Sequence, residues 1–149
     1  MAKTTKAATP AKQAGGPVAK TAKELTVTLP DKVGLTAEMS AAFAGAKINI
    51  LAITGCSDED GEATFTLLVD DAAKAKKVLR KLSAAVEDES VVTVEMPNKI
   101  GALQKVTHKI AEAGINIYYF YGTVGAGRIS TVVFKTADDK KTVRTLNKA

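Results

Sequence analysis

The chain has 149 residues, a formal net charge of +5 and one cysteine, Cys56. A single cysteine excludes an internal disulfide and a metal site built from several thiolates of one chain, so a cytoplasmic location is the default expectation. No apolar run approaches the roughly 20 residues that cross a bilayer. We therefore expect a soluble protein without membrane contact.

The net charge comes from the N-terminal segment. Residues 1–23 hold five lysines and no acidic side chain, whereas residues 24–149 carry 16 basic and 16 acidic side chains. The segment is rich in Ala, Lys, Thr, Gly and Pro, and this composition predicts a disordered tail that spaces or solubilises the protein. Weak contact with nucleic acid through these lysines is the alternative. The neutral remainder argues against a nucleic-acid-binding surface on the folded part.

Taken in order, the elements after the tail alternate between the two hydrophobic periods. Strands are predicted where apolar residues alternate or cluster, and helices where they recur at a spacing of three to four. Asp70-Asp71 supplies an N-cap and an acidic first turn for the second helix. The first copy is predicted as strand 24–29, helix 35–46, strand 48–54, strand 62–69 and helix 72–83.

The same elements return 67 residues later without a gap. Gly34 corresponds to Gly101, Asn49 to Asn116, and the repeat predicts two copies of one small unit. The second copy is predicted as strands 91–96, 115–121 and 128–136 with helices 103–113 and 139–147. Two split β-α-β units with right-handed crossovers predict an α+β fold, in which each ferredoxin-like βαββαβ unit has an antiparallel sheet with helices on one face.

The predicted domains are a disordered tail at 1–23, a first unit at 24–90 and a second unit at 91–149. The stretch 84–90 is acidic and only weakly strand-like, and the chain stops at Ala149 with no room for a fourth strand in the second unit. A missing strand leaves an unpaired sheet edge, which partner modules often complete. The sequence therefore predicts a homodimer or a higher oligomer.

A motif shared by the two copies carries a family resemblance. Pro30-Asp31-Lys32-Val33-Gly34 precedes an amphipathic helix, and Ile48-Asn49-Ile50 opens the next strand; the second copy has Pro97-Asn98-Lys99-Ile100-Gly101 and Ile115-Asn116-Ile117. This pattern resembles the ACT domain, the small ligand-sensing module of amino-acid metabolism, and the paired modules resemble the glycine-cleavage-system regulators. The resemblance implies an effector, usually an amino acid, bound at module interfaces beside this loop and this Asn. No cofactor is predicted.

The residues themselves support a ligand site independently of the family. A helix that begins at Gly34 exposes unpaired backbone N–H groups that suit a carboxylate, and Asn49 carries donors and acceptors for an ammonium or a carboxylate. Asp31 adds a charge-assisted contact to an ammonium, whereas Asn98 in the second copy lacks this charge, so the two sites are predicted to differ in affinity. The predicted site residues are Asp31, Gly34, Leu35, Asn49 and Ile50 in the first copy and Asn98, Gly101, Ala102, Leu103, Asn116 and Ile117 in the second.

Purely structural roles remain open for these residues. Both glycines suit a tight turn, and both asparagines suit bonds to local backbone. His108 is predicted to face solvent, Cys56 to be inert, and the acidic turn 58–62 lacks the ligand spacing of a calcium loop, so no metal site is predicted. No nucleophile with a base and no catalytic carboxylate pair is visible.

Two functional hypotheses follow. The first is a non-catalytic sensor that binds an amino acid and signals to a partner enzyme or regulator. The second is an interaction module without a ligand, which tethers a partner or nucleic acid through the lysine tail.

Four consecutive aromatic residues occupy one strand. Alternation predicts Tyr119 and Tyr121 on the side of Ile117, with Tyr118 and Phe120 on the opposite side. One of these pairs is predicted to face away from the helices and to form an interface or a ligand wall, with packing within the chain as the alternative.

Overall fold

A computed structural model describes residues 15–82, 84–123 and 126–148. Most of the predicted tail, residues 1–14, lies outside these ranges. The strands are β1 Val18–Pro30, β2 Ile50–Ser57, β3 Glu62–Val69, β4 Ala85–Pro97, β5 Ile117–Thr123 and β6 Ile129–Thr136; the helices are α1 Leu35–Gly45, α2 Ala72–Lys81, α3 Ala102–Glu112 and α4 Asp139–Asn147. None of the helices in the described ranges is long and apolar enough to cross a bilayer.

The strands form one antiparallel sheet in the order β2-β3-β1-β4-β6-β5. Read from either edge, four consecutive strands have the order of a ferredoxin-like unit. The predicted α+β class with two βαββαβ units is therefore confirmed. Strands β1 and β4 are 13 residues long, and each runs through both units.

The first half of β1 changes the prediction for the tail and for the fourth strand. Residues 18–23, which the composition assigns to a disordered tail, pair with β4 from Glu95 to Ser90. They supply the fourth strand that the second unit was expected to lack, and residues 85–88 do the same for the first unit. Composition misjudged this segment because it pairs with β4 on one side and contacts α4 on the other. Ala19 is buried, its N–H donates to Asn147 Oδ1 at 2.8 Å, and its C=O accepts from Asn147 Nδ2 at 2.9 Å.

All four helices cover one face of the sheet. Helices α1 and α2 bury Met39, Phe43 and Leu79 against β1 and β3. Helices α3 and α4 bury Ile110 and Leu146 against β4 and β6. Two apolar cores thus lie side by side, one for each unit, as the helical spacing of apolar residues predicts.

The sheet curves so that its other face becomes an interior surface. Strands β2 and β5, at opposite edges of the sheet, approach each other, and Leu68, Val91 and Val133 form a third buried cluster between the two half-sheets. Tyr121 packs against this cluster from β5. The strands turn this face into an interior, with the helices outside.

A β-bulge in β5 overturns the predicted placement of the aromatic residues. The register shifts between Ile117 and Tyr119, so Ile117 packs on the helix side while Tyr121 packs on the inner face. Tyr119 and Tyr121 therefore do not share a side with Ile117. The pair facing away from the helices is covered within the chain, whereas Tyr118 and Phe120 are 62% and 53% exposed.

Candidate functional site

The N-termini of α1 and α3 differ from those of the other two helices. Gly34 and Gly101 have left-handed backbone angles, with φ of 85° and 84°, and no side chain caps the helix that follows. By contrast, α2 and α4 are capped by aspartates at positions 71 and 138, as predicted for the first of them. The first-turn N–H groups of α1 and α3 therefore lack a side-chain acceptor and lie at the positive end of the helix dipole.

A cleft of about 380 Å³ lies beside the N-terminus of α1. Asp31 and Thr36 form one wall, and the end of β2 with Phe65 of β3 forms the other. Gly55 is required here, because a Cβ at this position would lie 2.9 Å from Cδ1 of Phe65. Since β2 is an edge strand, its outer backbone groups are available to a ligand or to another strand.

The charges at this cleft come from the loop before α1 and from the first turn of α1. The backbone N–H of Asp31 donates to the C=O of Gly61 at 2.8 Å, which holds the loop. Lys32 forms an ion pair with Glu38 of the first turn at 2.8 Å. The cleft thus presents, on one wall, the carboxylate of Asp31 and a helix N-terminus that favours an anion.

Comparison with known proteins identifies the first unit. Residues 23–87 match the family model of the ACT domain. The chain contains an ACT domain. The family resemblance predicted from the repeated motif is confirmed, and the second unit repeats the element order of this domain.

Several solved structures share the fold of the whole described chain. The structure of protein BT0572 from Bacteroides thetaiotaomicron is 29% identical, with 86% of this chain and 88% of that chain covered and a TM-score of 0.78. A structure of aspartokinase alpha and beta subunits is 21% identical (88% and 94% covered, TM-score 0.63). The regulatory subunit of aspartate kinase from Thermus thermophilus is 17% identical (88% and 94%, TM-score 0.61). No curated protein matches the sequence.

The second unit differs from the first ACT domain at the position of the cleft. Asn98, Leu103 and Phe120 stand where the first domain has Asp31, Thr36 and Ile53. Asn98 Nδ2 donates to the C=O of Gly127 at 3.0 Å, and the Phe120 ring stacks on Phe134 at 5.7 Å. The equivalent position therefore lacks the carboxylate and is more apolar.

Within one chain, neither unit brings the predicted glycine and asparagine together. Gly34 and Asn49 lie at opposite ends of α1, whose 11 residues span about 16 Å. Asn49 is exposed, and its N–H and C=O exchange hydrogen bonds with Asp70. Asn116 lies at the far end of α3 from Gly101, and its C=O accepts from Ala137. The backbone of each asparagine thus forms hydrogen bonds between the residue before one strand and the residue after the next strand.

The remaining predicted site residues differ in how far they are buried. Leu35 is 6% exposed within the first core, where it packs rather than faces a ligand. Ile50, Ala102 and Ile117 are half-buried against the cores. Leu103, at 41% exposure, lies at the solvent-facing start of α3.

Thr36, Gly55 and Ser57 line the cleft but were not predicted as site residues. The available signal was the repeated glycine pair, Gly55 and Gly122, which the repeat places at equivalent points of β2 and β5. At Gly122 an added Cβ would lie 3.0 Å from Val132. Both glycines thus mark where an edge strand passes closely over its neighbour.

The other candidate side chains, His108 and Cys56, are both exposed. His108 is exposed and lies 3.3 Å from Glu112 on the same helix. Cys56 is exposed and free. Within the described residues, no group of three or more His, Cys, Asp or Glu side chains is arranged to hold a metal ion.

The sequence pattern did not predict the buried polar cluster that lies on the inner face of the sheet. Glu24 of β1 is 0% exposed, and its two carboxylate oxygens accept hydrogen bonds from the hydroxyls of Tyr119 and Tyr121, the latter at 2.6 Å. Burial, and then the bond to Glu24, raise the pKa of both phenols above their ordinary value. The cluster links β5 to β1 across the inward fold of the sheet.

Proposed function

We propose that the protein is a non-catalytic regulator that binds a free amino acid in the cleft at the N-terminus of α1. The observation that carries this proposal is the pairing of an uncapped helix N-terminus with the Asp31 carboxylate in one cleft of an ACT domain. The α-carboxylate of the ligand accepts from the first-turn N–H groups. Its ammonium contacts Asp31, and its side chain lies along Ile53 and Phe65.

The fold supports a regulatory role over a catalytic one. The similar protein from Thermus thermophilus is the regulatory subunit of an aspartate kinase, and the present chain shares its fold. By analogy, the protein passes the binding signal to a partner enzyme or regulator. The second unit serves mainly as a support and a contact surface, because its equivalent position lacks a carboxylate.

We further propose that the effector-bound form is a homodimer or a higher oligomer. Most of the exposed large apolar side chains fall in pairs 67 residues apart: Val33 and Ile100, Leu51 and Tyr118, and Ile53 and Phe120. They lie at the two β–α loops and on the edge strands β2 and β5. A second chain that covers these edges would also close the open side of the cleft.

Calorimetric titration with each of the twenty amino acids tests the binding proposal. We expect one or a few to bind the purified full chain, and Asp31→Asn to weaken that binding by about tenfold or more, because a charge-assisted contact is lost. Asp60→Asn is the matched control, since Asp60 is exposed on the β2–β3 turn and should leave affinity unchanged. Binding that survives Asp31→Asn at full strength, or no binding by any amino acid, would overturn the proposal.

A further inference from the structure

A second cavity, of about 350 Å³, opens on the inner face of the sheet. All six strands line it, with Lys20 from β1, Ala52 from β2, Leu68 from β3, Glu95 from β4, Thr123 from β5 and Thr131 from β6. A groove of about 240 Å³ continues from it between β2 and β5 and reaches Tyr121. The size of the cavity falls within the range of small-molecule sites. The cavity itself shares no lining residue with the cleft at α1, whereas the groove shares Ile53 and Thr54 with that cleft.

Two opposite charges border this cavity. Val18 pairs with Glu95 and Lys20 with Thr93 across β1 and β4, so Lys20 and Glu95 are diagonal neighbours on the inner face. Within the described ranges, neither side chain forms an ion pair. The cavity is thus bordered by one ammonium and one carboxylate that lie side by side and are not paired with each other.

The rest of the lining combines apolar and hydroxyl groups. Leu51, Ala52 and Leu68 provide an aliphatic surface, and Leu51 is 58% exposed at the register shift of β2. Thr123 and Thr131 add hydroxyl groups on the opposite side. A ligand that matches this lining carries one positive and one negative group on a short aliphatic body.

The cavity is specific to one end of the inner face. At the positions 67 residues later, Tyr119 replaces Ala52, Lys135 replaces Leu68, and Glu87 replaces Lys20. Tyr119 extends across the inner face to Glu24, so a large side chain stands where the first unit has a methyl group. The open space therefore depends on particular residues and does not follow from the repeated fold alone.

We propose that this inner-face cavity binds a small aliphatic zwitterion of the α-amino-acid class. Lys20 contacts its carboxylate, Glu95 contacts its ammonium, and Leu51 and Leu68 pack on its side chain. Because the ligand touches β2 of one unit and β5 of the other, its binding strengthens the contact between the two half-sheets. The site is separate from the α1 cleft, so the proposed function does not depend on it.

Backbone amide NMR titrations of the full chain with three probes test this inference. L-Leucine has both charges, L-leucinamide lacks the carboxylate, and N-acetyl-L-leucine lacks the ammonium. We expect leucine to shift the amide signals of Ala52, Thr93 and Thr131, and each analogue to bind about tenfold or more weakly because one charged contact is lost.

Charge variants connect each group of the ligand to one side chain. Lys20→Met should weaken leucine binding and leave leucinamide binding nearly unaffected. Glu95→Gln should weaken leucine binding and leave N-acetyl-leucine binding nearly unaffected. Lys77→Met and Glu59→Gln, two exposed positions away from the cavity, are the matched controls. Ala52→Tyr introduces the side chain of the second unit and should block binding.

The location of the shifts separates this inference from the proposed function. Shifts confined to Asp31, Thr36 and Gly55, with none at Ala52, Thr93 or Thr131, would overturn the inner-face site and leave the α1 site standing. Leucine binding at the inner face that is unchanged by Lys20→Met and Glu95→Gln would also overturn it. The reverse pattern, with inner-face shifts and an unaffected α1 cleft, supports this inference and counts against the proposed function for this ligand.

Discussion

The buried carboxylate of Glu24 makes the stability of the fold sensitive to one hydroxyl group. Tyr121→Phe removes the donor that lies 2.6 Å from Glu24 Oε2 and leaves the aromatic packing in place. Glu24 is 0% exposed, so water cannot readily replace the lost hydrogen bond. The expected loss is about 1.5–3 kcal/mol of unfolding free energy, the usual contribution of a hydrogen bond to a charged group.

Urea denaturation at neutral pH and 25 °C measures this loss as a lower midpoint at unchanged slope. Tyr118→Phe is the matched control, because Tyr118 belongs to the same strand and is 62% exposed. Its expected effect is within about 0.5 kcal/mol. The double variant with Glu24→Gln should lose less than the sum of the two single losses, since the two groups contact each other.

Equal losses for Tyr118→Phe and Tyr121→Phe would refute this reasoning. So would full additivity of Tyr121→Phe with Glu24→Gln. Either result would mean that the cluster does not connect β5 to β1 energetically, and that the inward fold of the sheet depends on the apolar cluster of Leu68, Val91 and Val133 alone.

Two further predictions concern the same strands. Folding raises the pKa of Tyr119 and Tyr121. Their contribution to stability is therefore full below the ordinary tyrosine pKa of about 10 and is lost as the pH rises beyond it. Above this pH, the urea midpoint should fall less steeply in the variant with Phe at both positions than in the unmodified protein. Asn147→Ala removes both bonds to Ala19 and should cost about 1–3 kcal/mol, with faster amide hydrogen exchange at residues 18–23 as the readout, whereas unchanged exchange there would contradict the role assigned to Asn147.

The sequence by itself determined the repeated unit, the element order and the α+β class. These features depend on local patterns: alternation in the strands, helical spacing of apolar residues, aspartate caps such as Asp71, and a glycine before α1 and α3. The element order also indicated the ACT resemblance. The position of Asp31 beside a helix N-terminus follows from the sequence as well, because only residues 32–34 separate it from α1.

Only the tertiary structure decided how these elements meet. The pairing of residues 18–23 with β4, the inward fold that buries Glu24, and the bulge that turns Tyr119 and Tyr121 inward all depend on contacts between residues far apart in the chain. The separation of Gly34 from Asn49 follows from the direction of α1. Local patterns state which face of an element is apolar, but they do not state which distant strand covers it, because that choice is made by the packing of the whole sheet.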